Sequence, residues 1–154
     1  MTILDHVPLS KISLHEGVRI KLPSGMVGLP KATEFELIKS QEGLPIMWLR
    51  STGSVRMSFP VIEPGPFVPN YELELEERDA EFLGEFSAAN PPLVLTVLTV
   101  KSLAPQRVTI NLIGPLVINR ETLVGKQVLL VNYERYSVEH PVIDEAASCE
   151  AGKC

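Results

Sequence analysis

The chain is short of cysteine: two in 154 residues, Cys149 and Cys154, both within the last six positions. A disulfide framework placed there would tie down nothing of a core, so an oxidised, stapled secreted domain is not expected. A zinc site is not expected either, because a C-x4-C pair with His140 as the nearest histidine lacks the paired ligand spacing such sites use. Long apolar runs are also missing. The longest, Leu93–Val100, falls far below the ~20 residues a membrane-spanning helix needs. The first residues, MTILDHVPLSK, have no basic segment followed by an apolar one and a small-residue cleavage site, so they do not read as a secretion signal. A cytoplasmic location is expected.

Catalytic wording is absent as well. There is no G-x-S-x-G, H-E-x-x-H or G-x-G-x-x-G, and Gly125-Lys126 lacks the upstream glycine and the Ser/Thr of a phosphate-binding loop. Only three histidines occur, His6, His15 and His140. No cofactor or metal is implied, and an enzyme is the weaker reading.

What is present is period two. Val18-Arg19-Ile20-Lys21-Leu22 alternates apolar with basic, and Tyr71-Glu72-Leu73-Glu74-Leu75-Glu76 alternates apolar with acidic, each as a strand with one face buried would. Leu93–Val100 and Leu116–Ile118 are nearly continuous in Leu, Val, Ile and Thr, which suits strands covered on both faces. Val108–Asn119 and Gln127–Val131 read as a hairpin whose loop closes on Gly125-Lys126. Many of the thirteen prolines stand at run boundaries, where a fixed φ and a missing N–H end a ladder. One segment departs from the pattern: Glu76–Gly84 places Ala80 with Leu83 and then a glycine stop, predicting one or two helical turns. The expected fold is all-β, a small antiparallel β-barrel-like domain with one short helix over residues 1–143. Residues 144–154, poor in periodic apolar positions, are expected to be a disordered tail.

Charge is concentrated. Residues 61–90 hold eight acidic residues and one basic, a local charge of −7 in a chain whose net is −5, so the remainder carries about +2. Such a field keeps a protein soluble, and it also steers a basic partner while disfavouring direct nucleic-acid binding. Trp48, the sole tryptophan, stands between Met47 and Leu49; it fits core packing or an interface, where Trp and Met are enriched. Met26, Val27 and Leu29 lie in a glycine-bounded turn that either plugs one barrel end or offers a contact surface.

The wording of several blocks is similar to that of a known family. Asn111-Leu112, Gly114-Pro115-Leu116-Val117-Ile118-Asn119, Gly125-Lys126-Gln127-Val128, Tyr136-Ser137-Val138 and His140-Pro141 follow in the order and spacing of the flagellar assembly factor FliW. Upstream, Leu22–Leu29 with Phe35-Glu36-Leu37, Pro45–Ser51, Pro69–Leu73 and Val94–Val100 extend the resemblance over residues 3 to 142. Val27 stands where the family usually has Pro, and Arg50 where it usually has Gln. The resemblance implies a non-enzymatic cytoplasmic regulator that binds flagellin before export. It also implies antagonism of the small RNA-binding translational regulator CsrA, relieving repression of flagellin translation. The partner-binding residues expected from this reading are Met47, Trp48 and Arg50 on one strand, with Glu72, Glu74, Glu76, Glu77, Asp79 and Glu81 in the acidic window. The chain is expected to act as a monomer, with no membrane contact. A small-ligand-binding β-barrel, or a hydrolase with an unrecognised site, is the alternative, and the barrel interior discriminates: filled for a regulator, hollow and polar for a ligand site.

Overall fold

The computed structural model describes residues 2–3 by backbone, and residues 17–40, 45–53 and 55–144 in full. The tail after Asp144, the secretion-signal reading and the two cysteines therefore lie outside the described residues.

Eleven strands and one α-helix make up the described chain: β1 Thr2–Ile3, β2 Val18–Lys21, β3 Glu34–Lys39, β4 Met47–Ser51, β5 Ser58–Ile62, β6 Leu73–Glu74, α1 Glu77–Leu83, β7 Leu93–Leu103, β8 Gln106–Ile110, β9 Leu116–Ile118, β10 Gly125–Gln127 and β11 His140–Asp144. All strand pairings are antiparallel. The main sheet runs β10-β9-β7-β5-β4-β3-β2, with β8 on β7 and β11 on β8. It curls until its two ends meet, where the Lys21 N–H donates to the Leu123 carbonyl at 3.0 Å in a single parallel bridge. The result is a half-barrel closed by one bridge, in keeping with the expected all-β, barrel-like class.

Alternation decides what fills it. Ile20, Leu22, Phe35, Leu37, Leu49, Leu93, Leu95, Leu116 and Ile118 point inward and are almost wholly buried, leaving a packed interior. Each such side chain contributes roughly 1.5–3 kcal/mol through removal from water. Val94, Leu98 and Val117, on the opposite faces of β7 and β9, join a second core with Tyr71, Leu73, Leu75, Leu83, Ile110, Leu112, Val128 and Leu130. The uninterrupted apolar runs are thus strands covered on both sides. Leu98 ends that cover, and β7 continues into solvent with Val100 and Leu103 exposed.

Two expectations need correction. Val108–Asn119 is not one strand: the Asn111 Oδ1 accepts the N–H groups of Ile113 and Gly114 (3.1 and 3.0 Å), an Asx turn that ends β8 and restarts the chain as β9. The hairpin partner is also displaced: Gly125 and Lys126 lie within β10, opposite Ile118 and Val117, and β10 ends at Gln127, so residues 128–131 are not part of the ladder. There Gly125 is required by close approach, because a Cβ at this position would sit 2.7 Å from the Val117 carbonyl oxygen and 2.6 Å from Ile118 Cγ1. The turn at Met26 plugs the barrel end: Met26 is buried in the first core, whereas Val27 beside it is exposed, its N–H donating to Gln127 Oε1 at 2.9 Å.

Candidate partner-binding surface

The segment Tyr71–Glu76 behaves as its alternation predicts. Tyr71, Leu73 and Leu75 are buried in the second core, while Glu72, Glu74 and Glu76 face away from it. Only Leu73–Glu74 is ladder-paired, with β1. On the other side the Glu74 carbonyl accepts the Val131 N–H at 2.8 Å. Glu72 is held on three sides: its N–H donates to the Tyr136 hydroxyl (2.8 Å), its carbonyl accepts from Asn132 Nδ2 (3.1 Å), and its carboxylate pairs with Arg135 at 2.9 Å. Beneath, the Tyr71 hydroxyl donates to the Leu112 carbonyl at 2.5 Å, and its ring meets that of Tyr136 edge to face at 4.8 Å. Burial, with Tyr136 adding to it, pushes the Tyr71 phenol far above the usual tyrosine range.

The helix continues the acidic surface. Glu76, Glu77 and Glu81 are exposed, and Glu76 pairs with Arg78 at 3.2 Å. Gly84, at φ 92, ends the helix as the sequence indicates, and Asn119 Nδ2 donates to the orphan Leu83 carbonyl at 2.8 Å. Asp79 corrects the expectation placed on it. It is only 4 % exposed and pairs with Lys126 Nζ at 2.6 Å, so it fastens α1 to β10 and presents no carboxylate to a partner.

The strand residues divide similarly. Met47 is buried in the barrel core, because the outward position of Trp48 fixes its neighbours inward; it is not available for contact. Trp48 is 45 % exposed on the outer wall, with Ile38 and Pro60 as cross-strand neighbours. Arg50, beside it on the same wall, pairs with Glu36 at 2.9 Å. β4 belongs to the main sheet and β6 to the two-stranded one, so these two groups occupy separate sheets. Sequence reading missed Lys126 and Arg135, which pair with Asp79 and Glu72, and three exposed apolar residues, Leu129, Val131 and Tyr133. Val128–Val131 is apolar at all four positions, so no alternation reveals which two turn outward.

A family model described as FliW protein matches residues 4–142. The chain belongs to the FliW family. A flagellar assembly factor FliW of Leptospira interrogans is 33 % identical over 140 residues, covering 91 % of this chain and 92 % of that protein. The Bacillus subtilis flagellar assembly factor FliW is 30 % identical over 136 residues, covering 88 % and 93 %. A crystal structure of the flagellar assembly factor FliW superposes with a TM-score of 0.70 at 30 % identity, covering 87 % of this chain and 91 % of that one. Family and half-barrel fold therefore agree, and no helix among the described residues is long and apolar enough to cross a membrane.

A cleft of about 350 Å³ opens at the margin of the first core, between the Met26 turn and strands β5, β7 and β8, with Met26, Phe59 and Val97 in its lining. Two of its polar residues, Asn111 and Gln127, are spent on structure: Asn111 on the Asx turn, and Gln127 on the Val27 N–H and the Gly114 carbonyl (3.0 Å). They converge to hold loops rather than to hold a ligand.

Proposed function

We propose that this protein is a cytoplasmic, monomeric regulator that binds flagellin and, when flagellin is scarce, binds the RNA-binding regulator CsrA, relieving repression of flagellin translation. Membership of a family of flagellar assembly factors carries the reading. The outward carboxylates of Glu72, Glu74, Glu76, Glu77 and Glu81 support its second half, since they form the surface a basic partner would meet. Such a field speeds encounter and repels RNA from the same region, and salt screens both effects. Flagellin and CsrA act as exclusive partners, so each lowers the apparent affinity for the other. The packed interior and the loop-holding use of Asn111 and Gln127 favour this reading over a small-ligand barrel or a hydrolase.

The test is charge reversal at Glu74, Glu77 and Glu81, which bond to no other side chain among the described residues, with kinetics followed at two salt concentrations. The variant should associate with CsrA at least tenfold more slowly at low salt and show a flatter salt dependence. Unchanged association at low salt would remove the electrostatic basis of the proposal.

A further inference from the structure

The acidic strand does not stand alone. Residues 128–131 run beside it, joined through the Val131 N–H and the Glu74 carbonyl, and they alternate in the same sense: Val128 and Leu130 enter the second core with Leu73 and Leu75, while Leu129 and Val131 face out. The 3-10 turn Tyr133–Arg135 follows at once, adding Tyr133 and, through the Glu72–Arg135 pair, closing back on the acidic strand. Leu129, Val131 and Tyr133 are 59 %, 54 % and 48 % exposed. One outer surface therefore carries an apolar row flanked by a row of carboxylates.

We infer that Leu129, Val131 and Tyr133 are the anchor of the docking surface whose rim is Glu72, Glu74 and Glu76, and that its occupant is a basic protein surface presenting apolar side chains among its cations. This rests on the function proposed above, which names the basic partner as CsrA. Charge complementarity selects that occupant: Glu72 and Glu76 are paired with Arg135 and Arg78, but Glu74, nearest the row, forms no ion pair among the described residues, nor do Glu77 and Glu81 on the adjoining helix, so the surface remains acidic. A wholly apolar partner would strand these carboxylates, and a wholly polar one would leave three large apolar side chains in water.

The rim and the row should divide the kinetics. Rim charges act at long range on association; desolvated apolar anchors act on dissociation. The experiment compares Leu129→Ser/Val131→Ser/Tyr133→Ser with wild type and with Leu103→Ser, a control on the far β7–β8 hairpin, by surface plasmon resonance against purified CsrA and, separately, flagellin. Circular dichroism and melting curves verify that each variant is folded; the single variants Leu129→Ser and Val131→Thr serve if the triple variant is not. The expected result is CsrA dissociation accelerated at least tenfold, an unchanged salt slope of association, and wild-type behaviour in Leu103→Ser. Wild-type dissociation in the row variants, or an effect confined to flagellin, overturns the inference while leaving the function standing. Failure of the wild-type protein to bind CsrA at all overturns the function and the inference together.

Discussion

Two single residues show how buried polar groups are placed here, and each makes a prediction. Tyr71 is buried with its hydroxyl on the Leu112 carbonyl and a phenol pKa raised far above the ordinary value of about 10. A raised folded-state pKa means that the folded protein holds its proton where the unfolded chain has released it. The tyrosine's contribution is therefore fully present below pH ~10 and is lost as pH rises beyond it. Melting temperatures between pH 8 and 11 should fall more steeply above pH ~10 in wild type than in Tyr71→Phe. At neutral pH that variant should be destabilised by about 1–3 kcal/mol, since the Leu112 carbonyl loses its donor. Asp79 poses the matching case for charge. Its partner Lys126 keeps about a quarter of its side chain in water, yet Asp79 has almost none. Lys126→Met strands the carboxylate and should destabilise the fold by roughly 3 kcal/mol, read from urea unfolding.

Among the elements, legibility followed locality. The half-buried alternation of β2 and of Tyr71–Glu76, the glycine-stopped α1 and the two-sided cover of β7 and β9 were all readable, because each is decided by spacing within one segment. The break between β8 and β9 was carried by Asn111 and Gly114-Pro115, turn residues set inside an apolar run that masked them. Asp79 was unreadable for a different reason: its partner Lys126 lies 47 residues away, and only the packing of α1 on β10 unites them. Likewise, which of Leu129, Leu130 and Val131 face water depends on the register against Glu74, not on their own composition. At β10 the constraint is steric. Gly125→Ala forces a methyl against the Val117 carbonyl of the neighbouring strand β9 and should lower stability by about 1–3 kcal/mol, measured by thermal or chemical unfolding.

Across the whole molecule, the half-barrel separates packing from contact. Its interior is filled, its seam is closed by one bridge, and its second core is roofed by a layer whose outer face carries the carboxylates and the apolar row. Trp48 and Arg50 stand on the main sheet, apart from that layer, so the molecule offers two outward regions of different character. The proposed exchange of flagellin against CsrA belongs to this scale, since it would depend on one partner excluding the other wherever each sits. The measurement that bears on it most directly is isothermal calorimetry of the purified protein with flagellin from the same organism and with CsrA, separately and then in competition, at two salt concentrations. Binding to both, with prior flagellin occupancy abolishing the CsrA heat and with CsrA affinity falling as salt rises, is the predicted result. Binding to neither, or simultaneous binding of both with undiminished affinity, would contradict it.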